Sequence, residues 1–403
     1  MNLDDIVLRS LQLQRGDARA LAAQAVAAAP DSVPARLVEA VLLVCSRDVR
    51  DYEAAGWAFA RLNALPMSAA ERAHTAALAA ALDGDLERAC RVYDQILDAE
   101  PRDFLALWAA QLMDYFLGNA LSLRERSARA LARMPGDLPG YHAALSLYAF
   151  ALQECGDYAP AEEAALKALA LEPADLRAQH TLLHVYEMLD RPADGVRWAG
   201  RHSSQWHDAA GGHHLWWHVA LFMIGLDRPH GALALYDLRM QQDTIAGLID
   251  GSALLWRLHL RRFDVGARFA ALAGRWAQYA EDAHCAFNDL HAMMAFAGAE
   301  RWDLAARLLA AQERRLARPI GANRDMTRAG YPACRALLAF AKGDFRSAEA
   351  LLRSLPPVVH RIGGSHAQRD VLQLTRAAAA ARRTPSNQRE IHVFALPQSL
   401  AAA

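Results

Sequence analysis

Apolar and polar positions alternate along this chain with the period of a helix almost everywhere. Ala and Leu recur at three- and four-residue intervals between Arg, Glu and Asp, and runs of alternating Val, Ile and Thr are nearly absent. The pattern predicts an all-α protein. It also repeats over a longer distance. "GDLERACRVYDQILDAEP" (84–101), "GNALSLRERSARALARMP" (118–135) and "GDYAPAEEAALKALALEP" (156–173) share one glycine-to-proline offset and start 34 and 38 residues apart.

This spacing is that of tetratricopeptide-like repeats: a turn residue between helices A and B, small residues where the helices cross, and a proline closing the unit. Ala89 with Tyr93, and Ala161 with Ala165, fill the crossing positions. Weaker copies follow at Asp190, Asp227, Arg261, Glu300 and Gly343, and precede at Arg50 and Gly16. The expected architecture is a helical-repeat superhelix (α-solenoid) of about ten hairpins over residues 1–375, as a single domain, with 376–403 as a cap or flexible tail. "MPGDLPG" (134–140) and "ARPIGANRDMTRAGYP" (317–332) read as loops, the second long enough to suggest a functional one. In such an array the A helices line a concave wall, where function is to be sought.

Composition narrows the partners. Hydrophobic residues make up 54% of 403, charged residues 22%, and the net charge is -1. The chain therefore has no bulk attraction for nucleic acid or anionic lipid. Five widely spaced cysteines without a C-x-x-C pair fit a reducing compartment. With no signal peptide and no long apolar run, the expected location is the cytoplasm. P-loop, nucleophile-elbow, Rossmann and zinc-ribbon motifs are missing. A homodimer is compatible with the pattern.

The candidate chemistry lies in histidines. Eight of sixteen fall between 180 and 230. In "QHTLLHVYEM" His180, His184 and Glu187 stand at i, i+4 and i+7, one stripe of an A helix. In "GGHHLWWHVALF" His214 and His218 repeat the i, i+4 spacing on the next A helix, and His213 is the less favoured of its adjacent pair. "FNDLHAMM" adds Asn288, Asp289 and His291, and "GGSHAQRD" adds Gln368, Arg369 and Asp370. Such groups in one pocket suit acid/base chemistry or a divalent metal, with His180, His184, His214 and His218 as candidate ligands. Each pair alone is also compatible with a structural histidine bonded between hairpins. The H-E-x-x-H order of zinc proteases is not present. His202, His207 and His230 read as surface or packing residues.

The motifs "HTLLHVYEM", "HHLWWHVALF…ALALYD", "FNDLHAMM" and "IGGSHAQRDV", in this order, resemble the tetratricopeptide repeat protein 38 family over roughly residues 70–375. On that resemblance His180, His184, Glu187, His214, Trp217, His218, Asn288, Asp289, His291, Gly363, Gly364, Gln368, Arg369 and Asp370, with Glu154 of "FALQECGDY", fall on shared motif positions. The family implies the repeat fold and a site, but no general activity to carry over.

The expectation is thus a His/Glu/Asp-rich small-molecule pocket, catalytic or metal-assisted. His180, His184, His214, His218 and His291 would be acid/base groups or ligands. Glu187, Asp289 and Asp370 would orient them or act as base. Glu154, Trp217, Asn288, Gln368 and Arg369 would bind substrate, Arg369 through an anionic group. The alternative is a scaffold that takes a partner peptide or helix in its groove.

Overall fold

A computed structural model describes residues 3–13, 18–207, 209, 211–318, 322–355 and 357–383. Among them all regular structure is helical. The expected turn at Gly16 and the tail beyond Arg383 lie outside the described residues. Two compact units divide the chain: residues 1–185 with 202–212, and residues 186–201 with 213–403.

In the first unit lie α1 (Leu3–Leu11), α2 (Ala18–Ala28), α3 (Val33–Val44), α4 (Val49–Leu62), α5 (Ala69–Leu82), α6 (Leu86–Ala99), α7 (Phe104–Leu117), α8 (Ala120–Leu131), α9 (Tyr141–Glu154), α10 (Tyr158–Leu171) and most of α11 (Leu176–Met188). From α5 to α10 each helix packs on the one before it. Ala89, Tyr93, Ala161 and Ala165 are fully buried, as the repeat pattern predicts. The core runs from Ile6 to Leu147.

The second unit holds the end of α11 and α12 (Pro192–His202), then α13 (Gly212–Gly225), α14 (Pro229–Arg239), α15 (Ile245–Leu260), α16 (Arg268–Trp276), α17 (Ala286–Gly298), α18 (Trp302–Leu316), α19 (Ala322–Ala341), α20 (Phe345–Arg353), α21 (His366–Arg369) and α22 (Val371–Arg383). Its core is rich in large side chains, with Trp217, Trp256 and Trp276 inside. Helix α22 carries regular structure past residue 376. No described helix is long and apolar enough to cross a membrane, and the five cysteines are free thiols.

One element punctuates both units. Gly84, Gly118, Gly156, Asp190, Asp227, Arg262, Glu300 and Gly343 all have positive φ, between 52° and 83°. After each, the next amide bonds back to a carbonyl five residues earlier, from Asp85 N to Ala80 O through Asp344 N to Ala339 O, at 2.7–3.0 Å. This is the Schellman stop: one left-handed residue lets the last carbonyls of helix A be satisfied and reverses the chain into helix B. The same physics gives opposite signs for one substitution. A Cβ at Gly156 meets nothing within 4 Å but its φ is +83°, whereas Gly56, inside α4, is equally open with a helical backbone. Urea unfolding is expected to show Gly156→Ala losing about 1 kcal/mol and Gly56→Ala gaining about that much.

The loop expected over 317–332 is instead mostly helix. Residues 319–321 lie outside the description, but α19 begins at Ala322 and runs through Pro332. Met326, Ala329, Ala333, Leu337 and Phe340 are buried at helical spacing, and burial of that face outweighs the cost of one interior proline. Gly330 permits this packing: a Cβ there would stand 2.8 Å from the Ala286 Cβ of α17.

Candidate functional site

The histidine stripe of α11 forms as its spacing dictates. His180 and His184, both buried, bring their Nε2 atoms to 3.0 Å. The Phe150 ring of α9 stacks on His180 and meets His184 edge-on, with both ring centres 5.6 Å away. One turn further along α9, buried Glu154 accepts a 2.7 Å bond from Gln153 Nε2.

In the second unit the charges meet from three helices and the residue that follows α21. Glu187, near the end of α11, bonds His218 Nδ1 of α13 at 2.7 Å. His214, one turn earlier on α13, holds both oxygens of Asp250 of α15 through its own Nδ1, at 2.9 and 3.0 Å. His213 Nε2 lies 3.5 Å from the same carboxylate. The His214 ring stacks on Trp217 at 5.2 Å and meets His218 edge-on at 5.0 Å. The Arg257 guanidinium of α15 sits 5.3 Å from the Trp217 ring centre. Arg257 also donates to the Ala253 and Ala367 carbonyls and to Asp370, which follows α21.

These groups shift one another. Burial pushes the Glu187 carboxyl up to about 8, against the pull of Arg257 and His214. Burial likewise drives His218 well below the ordinary imidazole range, with His214 and Arg257 adding to it and Asp250 opposing. Asp370 is raised to about 6 by burial, although Arg257 lowers it. At Asp250 burial raises the carboxyl, but His214, His213 and His218 together bring it below its ordinary value, so it stays ionised. Perturbed, mutually coupled groups of this kind mark functional sites more often than plain surface.

A histidine bonded to an aspartate is not by itself unusual here. His74 of α5 bonds Asp103 at 2.7 Å, and His142 of α9 bonds Asp175 at 2.9 Å. In both, the aspartate stands ahead of the next A helix and also accepts that helix's first amides, Ala106 N or Ala178 N. Those are structural rungs with a capping task. Asp250 differs: it lies inside α15, and its side chain receives imidazoles.

The remaining expected residues make local bonds of their own. Asp289 of α17 accepts 2.9 Å from Gln312 Nε2 of α18, and Gln312 also reaches Cys334 Sγ at 3.6 Å. Burial raises the Asp289 carboxyl to about 7 despite that bond. His291 Nδ1 bonds the Phe287 carbonyl of its own helix at 2.7 Å. Asn288 is buried on the same helix. Gln368 closes a capping box with Ser365, and Arg369 Nη1 bonds the Gly364 carbonyl. The cation that bonds Asp370 and faces Trp217 is Arg257, a residue the sequence reading did not single out. Gly364 is needed for space as well as for its φ of +84°, since a Cβ would fall 2.2 Å from the Phe287 ring.

Sequence reasoning missed Asp250 and Arg257 and discounted His213. The available signal was an Asp and an Arg seven apart, hence on one face of α15, inside the otherwise uncharged run "AGLIDGSALLWRL".

Two imidazoles one turn apart can share a cation. One ring nitrogen each of His214 and His218 lies within 4.8 Å of the other, and the same holds for His180 and His184. A scan of the chain against known protein families finds no match.

Proposed function

We propose that the imidazoles of His214 and His218 hold a divalent transition metal, in a site for acid/base or metal-assisted chemistry on a small molecule. The observation that carries this reading is the pair of carboxylate clamps on α13. Asp250 takes His214 Nδ1 and Glu187 takes His218 Nδ1, which leaves Nε2 as the coordinating atom of both rings. Metal-binding histidines commonly have the second nitrogen held by a carboxylate in this way, and imidazole donors suit zinc, copper, iron or nickel. A cation on Nε2 of His218 keeps the proton on Nδ1 and favours the ionised form of Glu187, which burial alone disfavours.

Eight matching A-to-B turns support tetratricopeptide-like repeats, and the motif positions support membership of the tetratricopeptide repeat protein 38 family. His218 is 0% exposed. Such burial favours a small ligand over a peptide lying in an open groove.

The test is elemental analysis of protein purified without chelator, repeated on His214→Ala and His218→Ala. The expected result is a transition metal in the native chain that falls at least tenfold in both variants. Native protein that takes up no such metal, or folded variants that keep it in full, would refute the site. A stoichiometric partner displaced by a short peptide would favour the scaffold reading instead.

A further inference from the structure

A second cleft in the second unit lies at the turn between α15 and α16, and the site above does not use it. It is an open cleft that offers about 520 Å³, within the size range of small-molecule sites. Three phenylalanines, Phe263, Phe269 and Phe345, and the His259 ring supply apolar walls, and Arg262 and Arg382 supply charge.

Both arginines are placed unusually. Arg382 of α22 is half-buried and uses one nitrogen, Nη2, on the His259 and Leu260 carbonyls at 3.4 and 3.0 Å. Its guanidinium lies over Phe340 and Phe345, 4.7 and 5.6 Å from the ring centres. Arg262 occupies the left-handed turn position, φ +60°, that glycine takes in four of the eight hairpin turns. Where the other three non-glycine turns carry Asp or Glu, this one presents a cation. Among the described residues neither guanidinium is paired with a carboxylate. Asp264, also on the cleft wall, accepts the Gly266 amide of its own turn at 2.8 Å. The Arg262 charge is also close enough to depress Arg382, after burial the larger cause.

Two cations facing one apolar cleft repel each other until an anion enters between them. We propose that this cleft binds a small organic anion, a phosphate or carboxylate carried on an aromatic body. The anion lies between Arg262 and Arg382 and the body lies against the phenylalanines. Arginine suits this task because its remaining N–H groups can bond an oxyanion while its stem and face stay on the rings.

Calorimetric titration of the full chain with phenyl phosphate, inorganic phosphate and phenol tests it. Phenyl phosphate should bind, inorganic phosphate should bind about tenfold or more weakly, and phenol should show no heat. Arg262→Gln, on an exposed turn, should weaken phenyl phosphate about tenfold or more without lowering the melting temperature. Arg382→Gln removes bonds to the end of α15, so Arg262→Gly serves as the second variant: it relieves the strained turn and must still lose affinity. Binding should persist in His218→Ala, which separates this cleft from the metal site. No binding of phenyl phosphate at millimolar concentration, equal affinity in Arg262→Gln, or loss in His218→Ala would each overturn the assignment.

Discussion

Replacing Arg257 with alanine is expected to cost about 3 kcal/mol of stability, the largest loss from any single side chain of the cluster. The guanidinium is 5% exposed and holds Asp370 and the carbonyls of Ala253 and Ala367. Its removal strands those acceptors and uncovers Trp217, whose ring it faces. It also withdraws the charge that lowers Glu187 and Asp370, so both carboxyls move further above their ordinary range. Asp370→Asn should cost less than half as much, because the amide oxygen of asparagine can still accept from Arg257, which keeps its two carbonyl partners. Urea unfolding of the two variants at one pH checks the order. An Arg257→Ala midpoint equal to that of the native chain would mean that the guanidinium holds nothing of consequence.

The second large effect has the opposite sign. Asp289→Asn should stabilise the protein at pH 8 by about 2–4 kcal/mol and leave it unchanged near pH 4. Asp289 is buried and raised to about 7, while an unfolded aspartate titrates near 3.9. Below about pH 4 both states carry the proton and the group contributes no pH dependence. Between about 4 and 7 the unfolded chain gives up the proton and the folded chain keeps it, so stability falls by about 1.4 kcal/mol per pH unit. Above about 7 both are ionised and the loss is constant. Asparagine mimics the protonated acid and still accepts the bond from Gln312, so the variant lacks this decline. Unfolding midpoints at pH 4.5 and 8 measure it; a gain equal at both would place its cause in packing rather than in charge. A buried acid whose removal strengthens the fold is retained for something other than the fold.

The helical class and the hairpin turns were readable because both rest on local rules: a 3.6-residue apolar period, and a turn signal recurring at a near-constant interval. The stripe of His180, His184 and Glu187 was readable for the same reason, since i, i+4 and i+7 share a helix face whatever surrounds it. What surrounds it was not. Arg257 and Asp250 reach the cluster through the packing of α15 against its neighbours, and spacing within one helix says nothing about which side chain of another meets it. Arg369 adjoins Asp370 in sequence and bonds the Gly364 carbonyl, but the guanidinium that bonds Asp370 comes from Arg257, more than a hundred residues earlier. The proline and glycines of 317–332 misled for a related reason. Their local cost is real, but the apolar face of α19 recovers more in burial than one missing amide bond loses.

The order of the left-handed turns along the chain has a consequence for access. Glycine occupies the first three and the last, while Asp190, Asp227, Arg262 and Glu300 follow one another without interruption. Each carries a backbone conformation that an L side chain resists by about 1 kcal/mol. The penalties therefore accumulate in one contiguous stretch, which includes the hairpins bearing His214, His218, Asp250 and Arg257. Sub-global opening is therefore expected first in that stretch, and amide hydrogen exchange faster there than in the hairpins with glycine turns would show its buried imidazoles meeting solvent while the rest of the chain stays folded.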